Sequence, residues 1–131
     1  EGPSMFKQVV YRILSKEEWK RTLSLGYMPR GEVDEKDGFI HLSTEETLLE
    51  TANLYFSSGE PPVVLEIDPG QLDGIMKQNR VPSRGNKMFP HLYADSIALQ
   101  AIVALIELIP GSGGNLELGA RREFSRVEVG A

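Results

Sequence analysis

The chain has only two histidines, and both stand in the same frame: Phe39-Ile40-His41-Leu42 and Phe89-Pro90-His91-Leu92. Each frame is a short apolar run with a polar ring in its third place. Such a run reads as a strand that must bond its imidazole inside a core or turn it into a cleft. Asp37-Gly38 leads into the first frame, and Ser43-Thr44-Glu45-Glu46 follows it as a helix start. The second frame runs on into Tyr93. Histidine changes charge near neutral pH, so two converging imidazoles make a candidate site. Two separate rings, each satisfied in the core, are the alternative.

A chain of 131 residues suits one domain with one real core. Glu1-Gly2-Pro3-Ser4, ahead of Met5, reads as an expression remnant. Residues 5–110 read as the single domain. Residues 111–131 read as a linker, Gly111-Ser112-Gly113-Gly114, with a C-terminal extension. With 40% apolar and 25% charged residues, the chain has the make-up of an ordinary globular domain. Its net charge of −5 argues against non-specific binding to nucleic acid or to an anionic membrane. The longest apolar run, Ile97 to Ile109, is broken by Gln100 and Glu107 and falls short of the ~20 residues of a membrane span. The absence of cysteine removes disulfides, thiolate nucleophiles and cysteine zinc sites, and leans toward a cytoplasmic protein; with the charge and the short apolar runs, no membrane partner is expected.

Taken in order, Phe6 to Leu14 reads as a first strand, rich in strand formers. Ser15 ahead of Glu17-Glu18 starts a helix over 15–25 that carries Trp19 and closes at Gly26. Tyr27 to Lys36 is polar and reads as a loop. A strand at 38–43 leads into a helix at 44–56, whose Leu48, Leu49, Ala52 and Tyr55 or Phe56 share one face. A third strand at 63–68 ends on Asp68-Pro69-Gly70. Gln78 to Met88 reads as a long loop, whose Arg80, Arg84 and Lys87 either bind an anion or are solvated. The strand at 89–93 contains Pro90, which points to a sheet edge. Asp95-Ser96 signals a helix from Ile97 to Leu105, while Val103 to Ile109 also reads as a strand; periodicity does not separate the two. Leu116 to Ala131 is either an added strand or a loose tail.

The sequence holds no glycine-rich phosphate loop and no Gly-x-Ser-x-Gly elbow, and the spacing of His41 and His91 names no metal. Gly38-Phe39-Ile40-His41-Leu42-Ser43-Thr44, a helix, Val64-Leu65-Glu66-Ile67-Asp68 and Phe89-Pro90-His91-Leu92-Tyr93, preceded by Val10-Tyr11-Arg12-Ile13, resemble the family called domain of unknown function 952 (DUF952). The resemblance runs from Val9 to Leu108. Val81 stands where members of that family often carry a glutamate ahead of Pro-Ser-Arg-Gly.

The resemblance implies a fold similar to that of ADP-ribosyltransferases: an α+β domain with a split, mixed or mainly antiparallel sheet and two or three helices. It implies that Tyr11 or Arg12 lies near an NAD-holding position, Ser43 and Tyr55 near a nicotinamide wall, and His91 near the place of a catalytic glutamate. An imidazole brings no negative charge to a departing nicotinamide, so the resemblance carries the cleft better than the reaction. RNA 2′-phosphotransferases of the same fold use histidine and arginines on a phosphate, a role open to Arg12, Arg80 and Arg84.

The expected site therefore has His41, His91 and Ser43 as catalytic residues, Tyr11, Arg12, Thr44, Tyr55, Arg84 and Tyr93 as ligand contacts, and no metal. The expected ligand is a small molecule or nucleotide such as NAD. The expected function is ADP-ribosyl, glycosyl or phosphoryl transfer, with a non-catalytic binding module of the same fold as the alternative.

Overall fold

A computed structural model describes residues 8–125. The Glu1–Ser4 remnant, the start of the strand expected from Phe6 and the end of the C-terminal extension lie outside the described residues. The chain is α+β, and every strand pairing among the described residues is antiparallel. No described helix is long and apolar enough to cross a membrane.

The main sheet has the order β1-β4-β8-β9, built from Val10–Leu14, Val63–Ile67, Ile102–Pro110 and Leu116–Glu123. All five residues of β4 are buried, as its unbroken Val-Val-Leu-Glu-Ile run requires of a strand covered on both faces. Period-two alternation then sorts β1 between two cores. Val10 and Leu14 join Met28, Ile40, Leu65, Leu92 and Ile97 on one face. Tyr11 and Ile13 join Leu48, Ala52, Val64 and Ile106 on the other. Helix α1 (Lys16–Leu25) begins with a capping box, in which Ser15 Oγ accepts from Glu18 N–H and Glu18 Oε1 from Ser15 N–H, and ends at left-handed Gly26. The strand form of the tail is the one taken: β9 lies along β8, and Phe124 just beyond it packs edge-on against Trp19.

A second sheet has the order β3-β6-β5, from Ile40–His41, Lys87–Tyr93 and Ile75–Val81. A small ribbon pairs β2 (Tyr27–Pro29) with β7 (Ser96–Ala98). Beyond β3 the chain crosses to the main sheet, where Ser43 and Tyr11 exchange both backbone hydrogen bonds at 2.8 and 2.9 Å. The few residues from Ile40 to Ser43 therefore bind one sheet to the other.

Several expectations are corrected here. The polar stretch after Tyr27 is not all loop: it contains β2 and a six-residue helix, α2 (Glu32–Asp37). The expected long loop at Gln78 to Met88 is a hairpin, with β5 and β6 in register from Ile75↔Tyr93 to Val81↔Lys87. Strand β5 is an outer strand with mostly exposed or half-buried side chains, so it has no apolar face to announce it. Pro90 lies in a central strand rather than at an edge. Its carbonyl accepts from Leu42 N–H at 3.2 Å, so its hydrogen-free nitrogen faces the two-residue β3 and leaves the β5 ladder whole. Helix α3 spans Leu48–Tyr55, not 44–56, because Thr44 and Thr47 bond each other in a turn ahead of it. No helix forms at Ile97 to Leu105: β7, a 3-10 turn and β8 take that segment, as its β-branched residues allow.

Candidate functional site

A cleft of about 600 Å³ opens where the end of β1, helix α2, strand β3, the end of α3 and the tip of the β5–β6 hairpin meet. Its floor is a single rung of the second sheet. His41 of β3 and His91 of β6 are direct cross-strand partners, and their ring centroids lie 5.8 Å apart. Such partners share a face and approach closely whatever their loops do. Phe39 packs against both: it stacks on His91 at 4.1 Å and tilts against His41 at 4.6 Å.

His41 is held between two carboxylates. Its Nδ1 donates to Asp34 Oδ1 at 2.7 Å and its Nε2 to Asp37 Oδ2 at 2.8 Å. Asp34 is the hub. It is almost wholly buried on α2 and accepts from Arg12 at 2.7 and 3.1 Å, from the His41 backbone N–H at 3.1 Å and from Gly31 N–H at 2.7 Å. Gly31 fits because it has no side chain: a Cβ there would stand 3.2 Å from Arg12 Nη2. Arg12 also donates to the His41 carbonyl at 2.9 Å, which ties β1 to β3 a second time.

These contacts set the charges. Burial alone would raise the Asp34 carboxyl, but the His41 bond and the Arg12 charge outweigh it and hold Asp34 well below the usual carboxylate range. The Asp34 hydrogen bond lifts His41 above its ordinary value; burial opposes this, and Asp37 reinforces it. His91 goes the other way: burial, then the neighbouring His41 charge, lower it. The two rings of the rung are thus pushed apart, His41 toward the imidazolium and His91 toward the neutral imidazole. His91 is 7% exposed, and its Nδ1 is 2.9 Å from the Asn79 amide nitrogen on β5.

The opposite wall is built on Arg84, at the hairpin tip. Its guanidinium lies 4.7 Å from the Phe89 ring and 6.0 Å from the Tyr55 ring. It donates to Thr51 at 2.9 Å and to Glu50 at 3.1 Å. Of the expected site residues, His41, His91, Ser43, Arg12, Tyr55 and Arg84 line the cleft. Tyr11 does not: it is buried in the core against α3. Thr44 is spent in its turn with Thr47. Tyr93 is on β6 beside Phe39 with Lys77 over its ring, away from the lining.

The residues not foreseen are Asp34, Asn79 and Asp37. The first sits in a polar stretch with no apolar period, and the second on a strand hidden for the same reason. Asp37 begins the first histidine motif, but only its place at the end of α2 aims it back at the ring. Among the described residues, no group of three or more acidic or histidine side chains is arranged to hold a metal ion.

The overall fold is similar to one already solved. The crystal structure of Protein CC0527 from Caulobacter crescentus is 31% identical, with a TM-score of 0.74, over 84% of this chain and 94% of that one. A double-mutant crystal structure of the same protein gives 0.74 at 29% identity over the same shares. Its solution NMR structure gives 0.62 at 29% identity, over 82% of this chain and 90% of that one. No curated protein matches the chain. A family model described as "Protein of unknown function (DUF952)" matches residues 13–105.

Proposed function

Because the chain belongs to the DUF952 family, whose description gives no activity, we propose a function from the site itself: the cleft binds a nucleotide-type ligand, NAD or another phosphate-bearing nucleotide, in a domain akin to the ADP-ribosyltransferases. One observation carries the reading. Two imidazoles of different charge preference, 5.8 Å apart on one rung, floor a cleft of about 600 Å³ whose other wall is a cation packed between aromatic rings. Small-molecule sites span roughly 300–1,000 Å³, lined by aromatic groups with a few convergent polar ones. Tyr55, Phe56 and Phe89 offer faces for a base, Arg84 and His41 offer positive charge, and Ser43 offers a hydroxyl.

The reaction class that fits is transfer of an ADP-ribosyl or phosphoryl group. Binding without turnover is the second reading, and one observation favours it. The two carboxylates beside the imidazoles are both engaged by His41, so neither is free to face positive charge on a departing nicotinamide.

The test is a thermal-shift screen with NAD, ADP-ribose and nucleotide phosphates, followed by an assay of nicotinamide release. A ligand at 100 times its Kd stabilises the fold by about 2.7 kcal/mol, so at least one of these compounds should raise Tm. No shift with any of them overturns both readings, and a shift without nicotinamide release selects against ADP-ribosyl transfer. His91→Ala, measured below its own melting range, should weaken binding about tenfold, the effect of one good polar contact.

A further inference from the structure

The two imidazoles line the same cleft and are fixed by different neighbours. Asn79 and Phe89 are cross-strand partners, so His91, two residues on, is the diagonal neighbour of Asn79 on the same face. The amide nitrogen of Asn79 has only hydrogens to offer, so His91 Nδ1 is the accepting nitrogen and the ring's proton sits on Nε2. His91 is 7% exposed, and its Nε2 has no partner among the described residues. That N–H is not sealed off from solvent, so it is a donor that a group entering the cleft can take.

His41 presents the same atom, already occupied. Its Nδ1 side is permanent, because Asp34 is buried and saturated by Arg12, Gly31 and His41 itself. Its Nε2 side is not. Asp37 is 40% exposed and is the last residue of a six-residue helix, a place where the helix dipole disfavours a carboxylate. Gly38 follows it in the left-handed region, at φ 86°. Among the described residues, only His41 bonds that carboxylate.

We propose that His41 and His91 form a two-donor subsite for a phosphoryl group of the ligand, and that the Asp37 carboxylate fills the His41 half of it until the ligand displaces it. This rests on the reading of the cleft as a ligand site and states which part of the ligand goes where. Asp37 shows the chemistry that suits the subsite: a charged oxygen 2.8 Å from His41 Nε2. Rings this close can reach separate oxygens of one tetrahedral group. Glu18 and Glu32 on the same lining disfavour an anion. Glu18 is committed to the cap of α1, Arg12 neutralises Asp34, and Arg84, paired with Glu50, stands on the other wall. Asn79 acts as a positioning residue, because its amide selects the nitrogen that carries the proton.

The test uses the full chain and exploits its having only two histidines. Long-range proton–nitrogen NMR of the imidazoles reports the protonation of each ring nitrogen. Inorganic phosphate and pyrophosphate are titrated into the wild type and Asp37→Ala at slightly acid pH, with acetate as a control. The free protein should show His91 bare at Nδ1 and protonated at Nε2. Phosphate or pyrophosphate should move both Nε2–H signals, acetate should do so less, and Asp37→Ala should bind pyrophosphate about tenfold tighter. Asp37→Asn makes the same comparison if the alanine variant loses its fold. His91 protonated at Nδ1, anions that move neither ring, or unchanged affinity without Asp37 would each overturn the inference. If NAD raises Tm while phosphate and pyrophosphate leave both rings unmoved, this subsite falls and the nucleotide reading stands. If nothing binds, both fall.

Discussion

At the scale of single residues, the two histidines pull stability in opposite directions with pH. The folded-state value of His41 is raised, so its contribution is complete below its unfolded value, about 6.5, and is lost as pH climbs through the folded value. That of His91 is lowered, so the unfolded chain binds a proton first as pH falls below about 6.5, and this penalises the fold on the acid side. Asp34, lowered, adds stability that is present above its unfolded value, about 3.9, and lost as pH falls through the folded one. Urea midpoints should therefore peak near pH 6.5, with His41→Gln flattening the alkaline side and His91→Gln the acid side. An alkaline decline that survives His41→Gln unchanged would refute the assignment. The repeated Phe-x-His-Leu frame made the pair legible in the sequence, but not the terms on which it exists. His91 was framed as either a buried ring with a partner or a cleft residue. It is both, because a rung on a cleft floor can be packed from one side by Phe39 and open on the other.

At the scale of elements, β4 and α1 were legible, apolar β8 stayed open between helix and strand, and the polar elements were not legible. β4 reads directly from Val63 to Ile67, and α1 from its capping residues. β5 and α2 were missed because tertiary contacts define them: β5 by its ladder to β6, α2 by a carboxylate buried against Arg12. The Gly74 position shows how tightly β5 is set. Its φ is +89°, and a Cβ there would lie 2.5 Å from the Tyr93 carbonyl oxygen. Gly74→Ala should cost more than about 1 kcal/mol, since it adds a backbone clash to an unfavourable left-handed conformation. It should also weaken ligand binding, because Asn79 and His91 ride on the hairpin that must shift. Chemical denaturation and the thermal-shift screen read the two effects; lost stability with intact binding would mean that the hairpin does not set the site.

At the scale of the molecule, the α+β class was legible from the alternation of strand and helix signals. A split sheet was expected, but not which strands make up each half. The chain from Ile40 to Ser43 is too short to announce that it serves one sheet at His41 and the other at Ser43. Amide exchange should follow this construction. The buried strand β4 should exchange slowest, and the short, largely exposed α2 much faster. Ligand should slow α2 selectively if the cleft is the binding site; protection confined to the main sheet would place binding elsewhere. The junction has a practical consequence as well. Both histidines lie on the seam between the sheets, and the chain has no others. Their ring signals form a built-in gauge of whether the two halves are docked, so a partly unfolded species that keeps either sheet alone would betray itself in just two resonances.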